Sequence, residues 1–307
     1  MSSEIVLQTF NLGKRYRHRW AVREANLVVH RGEIFGFLGP NGAGKSTTIR
    51  MLLTLIRPTT GRVEFFRKNV LTHRAEVLSR LGGLVERADF YLYLSGRRNL
   101  ESIASLSGNV SKKEIDEVLH LVGLTKRAKD KVKTYSHGMK QRLGIAQALL
   151  RQPEFIVLDE PTTGLDPQGI KEVRELIGRL SAERGITVFL SSHLLSEIEQ
   201  VATNMAIIHR GEIIVQGKVG KLLNDGDMVV RLMARPRKYT ERVLSQLSFV
   251  KKVVVQGDEL QVTIGTTDSS LLSSMLMKSG IEVATITPLR SLEQYFLSIT
   301  EGVSDVD

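Results

Sequence analysis

Residues 39–47 read Gly39-Pro40-Asn41-Gly42-Ala43-Gly44-Lys45-Ser46-Thr47 and complete the pattern G-x-x-x-x-G-K-[ST] of a phosphate-binding loop. Such a run dictates a strand, a tight loop and a helix, in that order. Many backbone N–H groups must converge on a triphosphate, and only backbone free of Cβ atoms wraps closely enough, so Gly39, Gly42 and Gly44 supply the conformational freedom. A helix starting near Ser46 then directs its unsatisfied amides and positive dipole end at the anion. Lys45 adds a point charge for the β- and γ-phosphates, and the Ser46 hydroxyl is placed to ligate Mg²⁺. Asn41 and Thr47 belong to the same nucleotide-contacting set. Upstream, Glu33-Ile34-Phe35-Gly36-Phe37-Leu38 reads as the buried strand that the motif requires.

The 307 residues are 42 % hydrophobic, enough to bury a real core in one large domain or two smaller ones. With 43 Lys and Arg against 33 Asp and Glu the formal net charge is +10, yet the cations are spread along the chain without basic-aromatic interleaving. Nucleic acid is therefore not an expected partner; an anionic ligand and a nearby anionic membrane surface account for the charge. The absence of cysteine excludes disulfides and thiolate metal sites and fits a reducing compartment. No run approaches the ~18 apolar residues of a membrane span, and Met1 to Phe10 lacks the pattern of a signal peptide. The chain is expected to be soluble by itself, with any membrane role exerted through a partner.

Residues 5–38 alternate apolar and polar, with turns expected at Gly13 and Arg31-Gly32. The helix from Ser46 should stop near Ile56, before Arg57-Pro58-Thr59-Thr60-Gly61, and a strand from Arg62 to Phe66 should follow. From about Arg87 to Lys133 the periodicity is helical, with one helix from Asn99 to Leu106 and a second, opened by the capping box Ser111-Lys112-Lys113-Glu114, reaching Leu121. An inserted helical subdomain in an α/β core is implied. Glu154 to Glu160 then forms a buried strand ending in two carboxylates, followed by a helix from Gln168 to Arg184 and a strand from Ile186 to Ser191. This alternation predicts a largely parallel sheet with its ligand site at the strand C-termini. Beyond Gly217 the elements run β-α-β-β-α-β, the order of a small ferredoxin-like α+β appendage, with a last helix from Leu292 to Thr300. Within it Arg235-Pro236-Arg237-Lys238 reads as a solvated basic loop.

Asp159, after four apolar residues, suits a Mg²⁺ ligand or an acceptor for a Mg²⁺-bound water. Glu160 is placed to polarise an attacking water as general base. Tyr135-Ser136-His137-Gly138-Met139-Lys140-Gln141-Arg142 lies upstream, and Ser191-Ser192-His193 closes the next strand. With Pro161-Thr162-Thr163-Gly164-Leu165-Asp166-Pro167, these motifs resemble, in order, those of the nucleotide-binding subunit of an ATP-binding cassette (ABC) transporter. The likeness covers residues 4 to about 220. It implies a P-loop NTPase core with an antiparallel N-terminal β-subdomain and an ATPase domain over 1–220 with its helical subdomain at about 87–150; the ferredoxin-like appendage is then an accessory domain over 225–307.

The same resemblance implies roles. Ser136 and Gly138 stand for the signature that meets a γ-phosphate across a dimer, with Tyr135, His137 and Met139 replacing the usual Leu, Gly and Gln. His193 matches the switch histidine at the γ-phosphate, Asp166 the D-loop linking two sites, and Tyr16 the aromatic that stacks on adenine, with Trp20 as a rival and core packing as the alternative for Tyr16. Glu86 stands where the family has Gln at the joint to the helical subdomain; it keeps an oxygen for Mg²⁺ but adds charge and loses an amide donor. Arg67 occupies a turn position where Gly is expected. Phe90, Tyr91 and Tyr93 are apolar enough for a groove that receives a cytoplasmic helix of a permease. Leu84-Val85-Glu86-Arg87, Tyr93-Leu94-Ser95-Gly96 and the tail from Leu292 to Leu297 resemble the drug and antibiotic-resistance exporter branch. The expected whole is an ATP- and Mg²⁺-dependent ATPase, a head-to-tail dimer with a second copy of itself, held by a separate transmembrane permease at the cytoplasmic face of the membrane. An importer ATPase with a regulatory C-terminal domain and a soluble non-transport cassette are the alternatives.

Overall fold

The computed structural model describes residues 4–86, 88–108, 110–224, 228–257, 259–265, 269–289 and 296. The chain divides into two units, Met1–Gly217 and Lys218–Asp307. No helix among the described residues is long and apolar enough to cross a membrane.

The first unit is built on a six-stranded sheet in the order Glu212–Lys218, Asn204–His209, Ile34–Leu38, Thr187–Ser192, Phe155–Leu158 and Leu81–Leu84. From Asn204–His209 to Leu81–Leu84 every neighbouring pair is parallel. Ile34–Leu38, Phe155–Leu158 and Thr187–Ser192 are buried at every residue, as strands covered on both faces must be. Phe35 stacks on Phe189 at 5.5 Å, and Phe37 meets the same ring at 5.4 Å. An antiparallel sheet in the order Arg19–Ala25, Ile5–Tyr16, Thr60–Phe65 and Lys68–Asn69, with Val28–His30 also paired to Ile5–Tyr16, packs onto this core; Phe65 lies edge-on to Phe155 at 5.1 Å. Between the adjacent strands Leu81–Leu84 and Phe155–Leu158 the chain inserts the helices Gly96–Ser107, Lys112–Leu121 and His137–Leu149. Both capping-box hydrogen bonds of Ser111 and Glu114 are present.

Two local expectations are corrected and one is explained. Gly13 does not turn the chain: Ile5–Tyr16 is one strand with register shifts on either side of it, and the reversal comes after Tyr16. The glycine serves close approach instead, since a Cβ there would lie 2.4 Å from Thr60 Oγ1. Phe66 and Arg67 form a two-residue hairpin between Phe65 and its partner Lys68, both at positive φ (52° and 62°), which explains why glycine is the expected residue at 67. In the second unit Pro236 caps the helix Arg237–Leu244, so Arg237 and Lys238 open a helix rather than a loop.

The second unit pairs its strands antiparallel in the order Val250–Gln256, Glu259–Ile264, Met228–Arg235 and Glu282–Leu289. Alternate residues Met228, Val230, Leu232 and Ala234 are buried, the period-two signature of a sheet covered on one face. They share a core with Leu244 of one helix and Leu272 and Leu276 of Ser269–Lys278. The helix expected over 292–300 lies, Phe296 apart, outside the described residues.

At the edge of the first unit Glu154 receives hydrogen bonds from Arg80 at 2.6 and 2.9 Å and from Arg31 at 2.9 Å. The Arg80 bonds outweigh burial and, with those from Arg31, pull the Glu154 carboxyl down to about 2. A depressed carboxylate stabilises the fold above its unfolded pKa and loses that effect as pH falls through the folded value. Glu154→Gln is expected to lower the melting temperature at neutral pH, by less than about 1 kcal/mol of stability because the group is partly exposed. The gap to the parent should close as pH falls from 4.5 toward about 2. Thermal melts across that range test this; a gap independent of pH removes the carboxylate from the account.

Candidate nucleotide-binding site

The loop leaves the strand Ile34–Leu38 and enters the helix Lys45–Leu52, with Gly42 and Gly44 at φ of 80° and 114°. Two glycines are also forced by crowding: a Cβ on Gly39 would lie 2.3 Å from the Ile208 carbonyl oxygen, and one on Gly44 2.5 Å from that of Ala21. Lys45 folds back under the loop, donating to the carbonyls of Gly39 at 2.7 Å and Pro40 at 3.2 Å. Its Nζ lies 3.4 Å from Glu160 Oε1.

Glu160 comes from the end of a strand two places away in the sheet. The strand between them, Thr187–Ser192, supplies the connection. Ser191 Oγ donates to Asp159 Oδ1 at 2.5 Å and accepts from the Glu160 amide at 2.9 Å, so one hydroxyl fixes both acids. Thr163 Oγ1 donates to Glu160 Oε2 at 2.9 Å, and His193 Nδ1 lies 3.1 Å from the same oxygen. Burial would raise the Glu160 carboxyl, but the Thr163 hydrogen bond and the charges of Lys45 and His193 outweigh it and hold the group below the ordinary carboxylate range.

Ser46, Glu86, Gln141, Asp159, Glu160 and Thr163 line one cavity of about 310 Å³ beside the loop. Glu86 sits at a strand end with φ of 63°, and Glu160 at another with φ of 46°. The Glu86 carboxylate is bonded by Arg50 of the loop's own helix. Tyr16, Ser136, Gly138 and Asp166 do not line this cavity. Ser136 caps the helix His137–Leu149, accepting from the Met139 amide, and Asp166 caps Pro167–Arg184, accepting from the Gly169 amide. Tyr16 is 47 % exposed, which rules out core packing, and Lys14 Nζ lies 5.3 Å from its ring centre. Trp20 is half-buried, under Arg15.

Comparison with known proteins matches residues 22–163 to the family described as ABC transporter. The bacitracin transport ATP-binding protein BcrA of Bacillus licheniformis is 43 % identical over 97 % of this chain and 98 % of its own. The chain belongs to the ABC transporter ATP-binding proteins. The linearmycin resistance ATP-binding protein LnrL of Bacillus subtilis (strain 168) is 33 % identical over 96 % of this chain and 98 % of its own. A dimeric ATP-binding cassette solved in a post-hydrolysis state with ADP and Pi aligns with a TM-score of 0.62 and 25 % identity, over 69 % of this chain and 98 % of that one. This ABC protein therefore groups with the antibiotic-transport and antibiotic-resistance branch, binds nucleotide, and is an ATP hydrolase of the transport-coupled kind.

Within this ABC ATPase the residues that sequence reading missed are Ser191, Thr163 and Arg50. The signal for Ser191 was a hydroxyl at the strand end two residues before His193, but nothing local says that it faces Asp159. Ser191→Ala is expected to leave ATP affinity nearly unchanged while lowering turnover roughly tenfold or more, as loss of an orienting partner does. Steady-state ATPase kinetics measure both; an unaltered kcat removes Ser191 from the orienting role.

Proposed function

We propose that this chain powers an ABC exporter of antibiotic or similarly amphipathic cargo, closing as a head-to-tail dimer over two ATP molecules. The supporting observation is the convergence of Lys45, Asp159, Glu160 and His193 at the C-terminal ends of three adjacent strands. Relatives named for bacitracin transport and linearmycin resistance favour the cargo class.

In this reading the amides of residues 39–47 and the Lys45 ammonium bind the phosphates, and Tyr16 stacks on adenine. Mg²⁺ fits the donors present: Ser46, Asp159 and Glu86 bring hard oxygens to one cavity, although no three His, Cys, Asp or Glu side chains are placed to hold a metal ion by themselves among the described residues. Ser46, Asp159 and Glu86 would hold it, and when bound it would neutralise charge developing on the phosphate oxygens. Glu160, ionised at neutral pH, accepts the proton of the attacking water. His193 steadies the γ-phosphate end of the site and holds Glu160 in place. Ser136 and Gly138, away from the cavity of their own subunit, offer a helix N-terminus to the γ-phosphate of a second copy, and Asp166 lies on the same joint. Closure then depends on a group present only before hydrolysis.

Tyr91, Leu92 and Tyr93 are 57, 49 and 67 % exposed. Beside them Phe90, Leu92, His137, Lys140 and Gln141 line a groove of about 330 Å³. This groove suits a cytoplasmic helix of the permease, which would keep the chain at the inner membrane face. Gln141 also lines the nucleotide cavity, so one helix borders both.

Glu160→Gln is expected to retain ATP binding, lose turnover by roughly a thousandfold, and accumulate an ATP-bound dimer on size exclusion; near-normal turnover would sink the general-base role. For Glu86→Gln, the Mg²⁺ dependence of turnover should shift by up to about tenfold. Unchanged Mg²⁺ titrations would remove Glu86 from the metal site.

A further inference from the structure

Residues 126–133 read Lys-Arg-Ala-Lys-Asp-Lys-Val-Lys, five cations and one acid. Arg127 is taken up by Asp130 at 2.8 Å. The side chains of Lys126, Lys129, Lys131 and Lys133 are exposed and have no hydrogen bond or ion pair among the described residues. The mechanism above uses none of the four.

This run does not stand alone. The Val132 amide donates to the Leu94 carbonyl and the Lys133 amide to that of Leu92, both at 2.9 Å, and Lys131 bridges Ser95. The lysine run is thereby stitched antiparallel against residues 91–95. Val132 is fully buried while Lys131, in extended backbone, and Lys133, in the short 3-10 turn Val132–Thr134 that follows, are exposed, so Val132 anchors the segment and the lysines on either side of it reach solvent. Alongside lie the exposed Tyr91 and Tyr93, which do not line the groove assigned to the permease helix, with their rings 6.0 Å apart. The basic-aromatic interleaving missing from the linear sequence is produced by the fold.

We infer that this surface binds the anionic phospholipid headgroups of a membrane directly. Tyrosine rings with one wet end favour the headgroup region, and lysine stems lie along apolar surface while their ammonium groups reach outward. Lysine also fits the occupant. A carboxylate on a protein partner is best held by the planar fork of arginine, and the single arginine of the run is already paired; a diffuse sheet of phosphates needs only mobile point charges. The inference depends on the exporter reading only for the direction in which the face points.

The test is sedimentation of the full chain with vesicles of phosphatidylcholine alone and of equimolar phosphatidylglycerol and phosphatidylcholine. Binding is expected to the anionic vesicles alone, and to fade as salt rises from about 0.1 M to about 1 M and the Debye length shrinks from about 10 to about 3 Å. Each lysine removed should weaken binding roughly fivefold, so K126S/K129S/K131S/K133S together should lose at least about a hundredfold. That variant should keep the parent's melting temperature and its ATPase rate in solution, and the matching four Lys→Arg changes should keep vesicle binding. Equal binding by parent and serine variant, or no preference for the anionic vesicles, overturns the inference. So does a parent that ignores vesicles while the serine variant loses copurification with the permease, which would hand the lysines to an acidic protein segment. A chain that binds anionic vesicles but copurifies with no permease would instead sink the exporter reading and leave this one standing.

Discussion

An ammonium group at 5 % exposure has to be compensated where it sits, because removing a charge from water costs several kcal/mol unless fixed dipoles or an opposite charge replace the solvent. Lys45 meets this condition with two carbonyls of its own loop and the Glu160 carboxylate. Much of the first unit follows from that requirement. The carbonyls face inward only if the loop is wound tightly, which places Gly39 against the backbone of Ile208 and Gly44 against that of Ala21. The loop is therefore wedged between the parallel sheet and the antiparallel one, and the Gly211 amide bonds the Ala43 carbonyl at 2.9 Å to close the wedge. Glu160 reaches Lys45 only because Thr187–Ser192 separates their strands by one place and carries a hydroxyl at the right height.

What could be read from the sequence was local. The phosphate loop, the Ser111–Glu114 capping box and the buried strand before Asp159 each declare themselves within a few residues, since their physics is completed by near neighbours. What escaped depends on partners far along the chain. Ser191 lies 31 and 32 positions from the two acids it joins, and Arg50 is 36 from Glu86. The lysine run and the tyrosines beside it belong to separate segments, so composition alone suggested scattered charge. Gly13 shows a different failure: a glycine signals either a turn or a close approach, and only the packing of Thr60 and Trp20 around it decides.

Glu86 illustrates how a departure from a family pattern is accommodated. A carboxylate in place of an amide brings a negative charge to a cavity that already holds Asp159 and Glu160. Arg50, one helical turn beyond the phosphate loop, balances that charge from the same helix that carries Lys45 and Ser46. The joint to the helical insert is thereby tied to the nucleotide loop through an ion pair, where an amide would make only a neutral hydrogen bond.

Both Glu86 and Glu160 hold left-handed backbone at strand ends, a conformation that costs a non-glycine residue of order 1 kcal/mol or more. Glycine or asparagine would relax the backbone at either position, but would take the opposite charge from Arg50 at 86 and from the buried Lys45 at 160. That these places keep glutamate sets a ceiling on how far the fold can be hardened without losing its chemistry. Any substitution that relaxes the backbone at these two acids therefore removes a charge partner as well, and a screen blind to turnover would not register the chemistry lost with it.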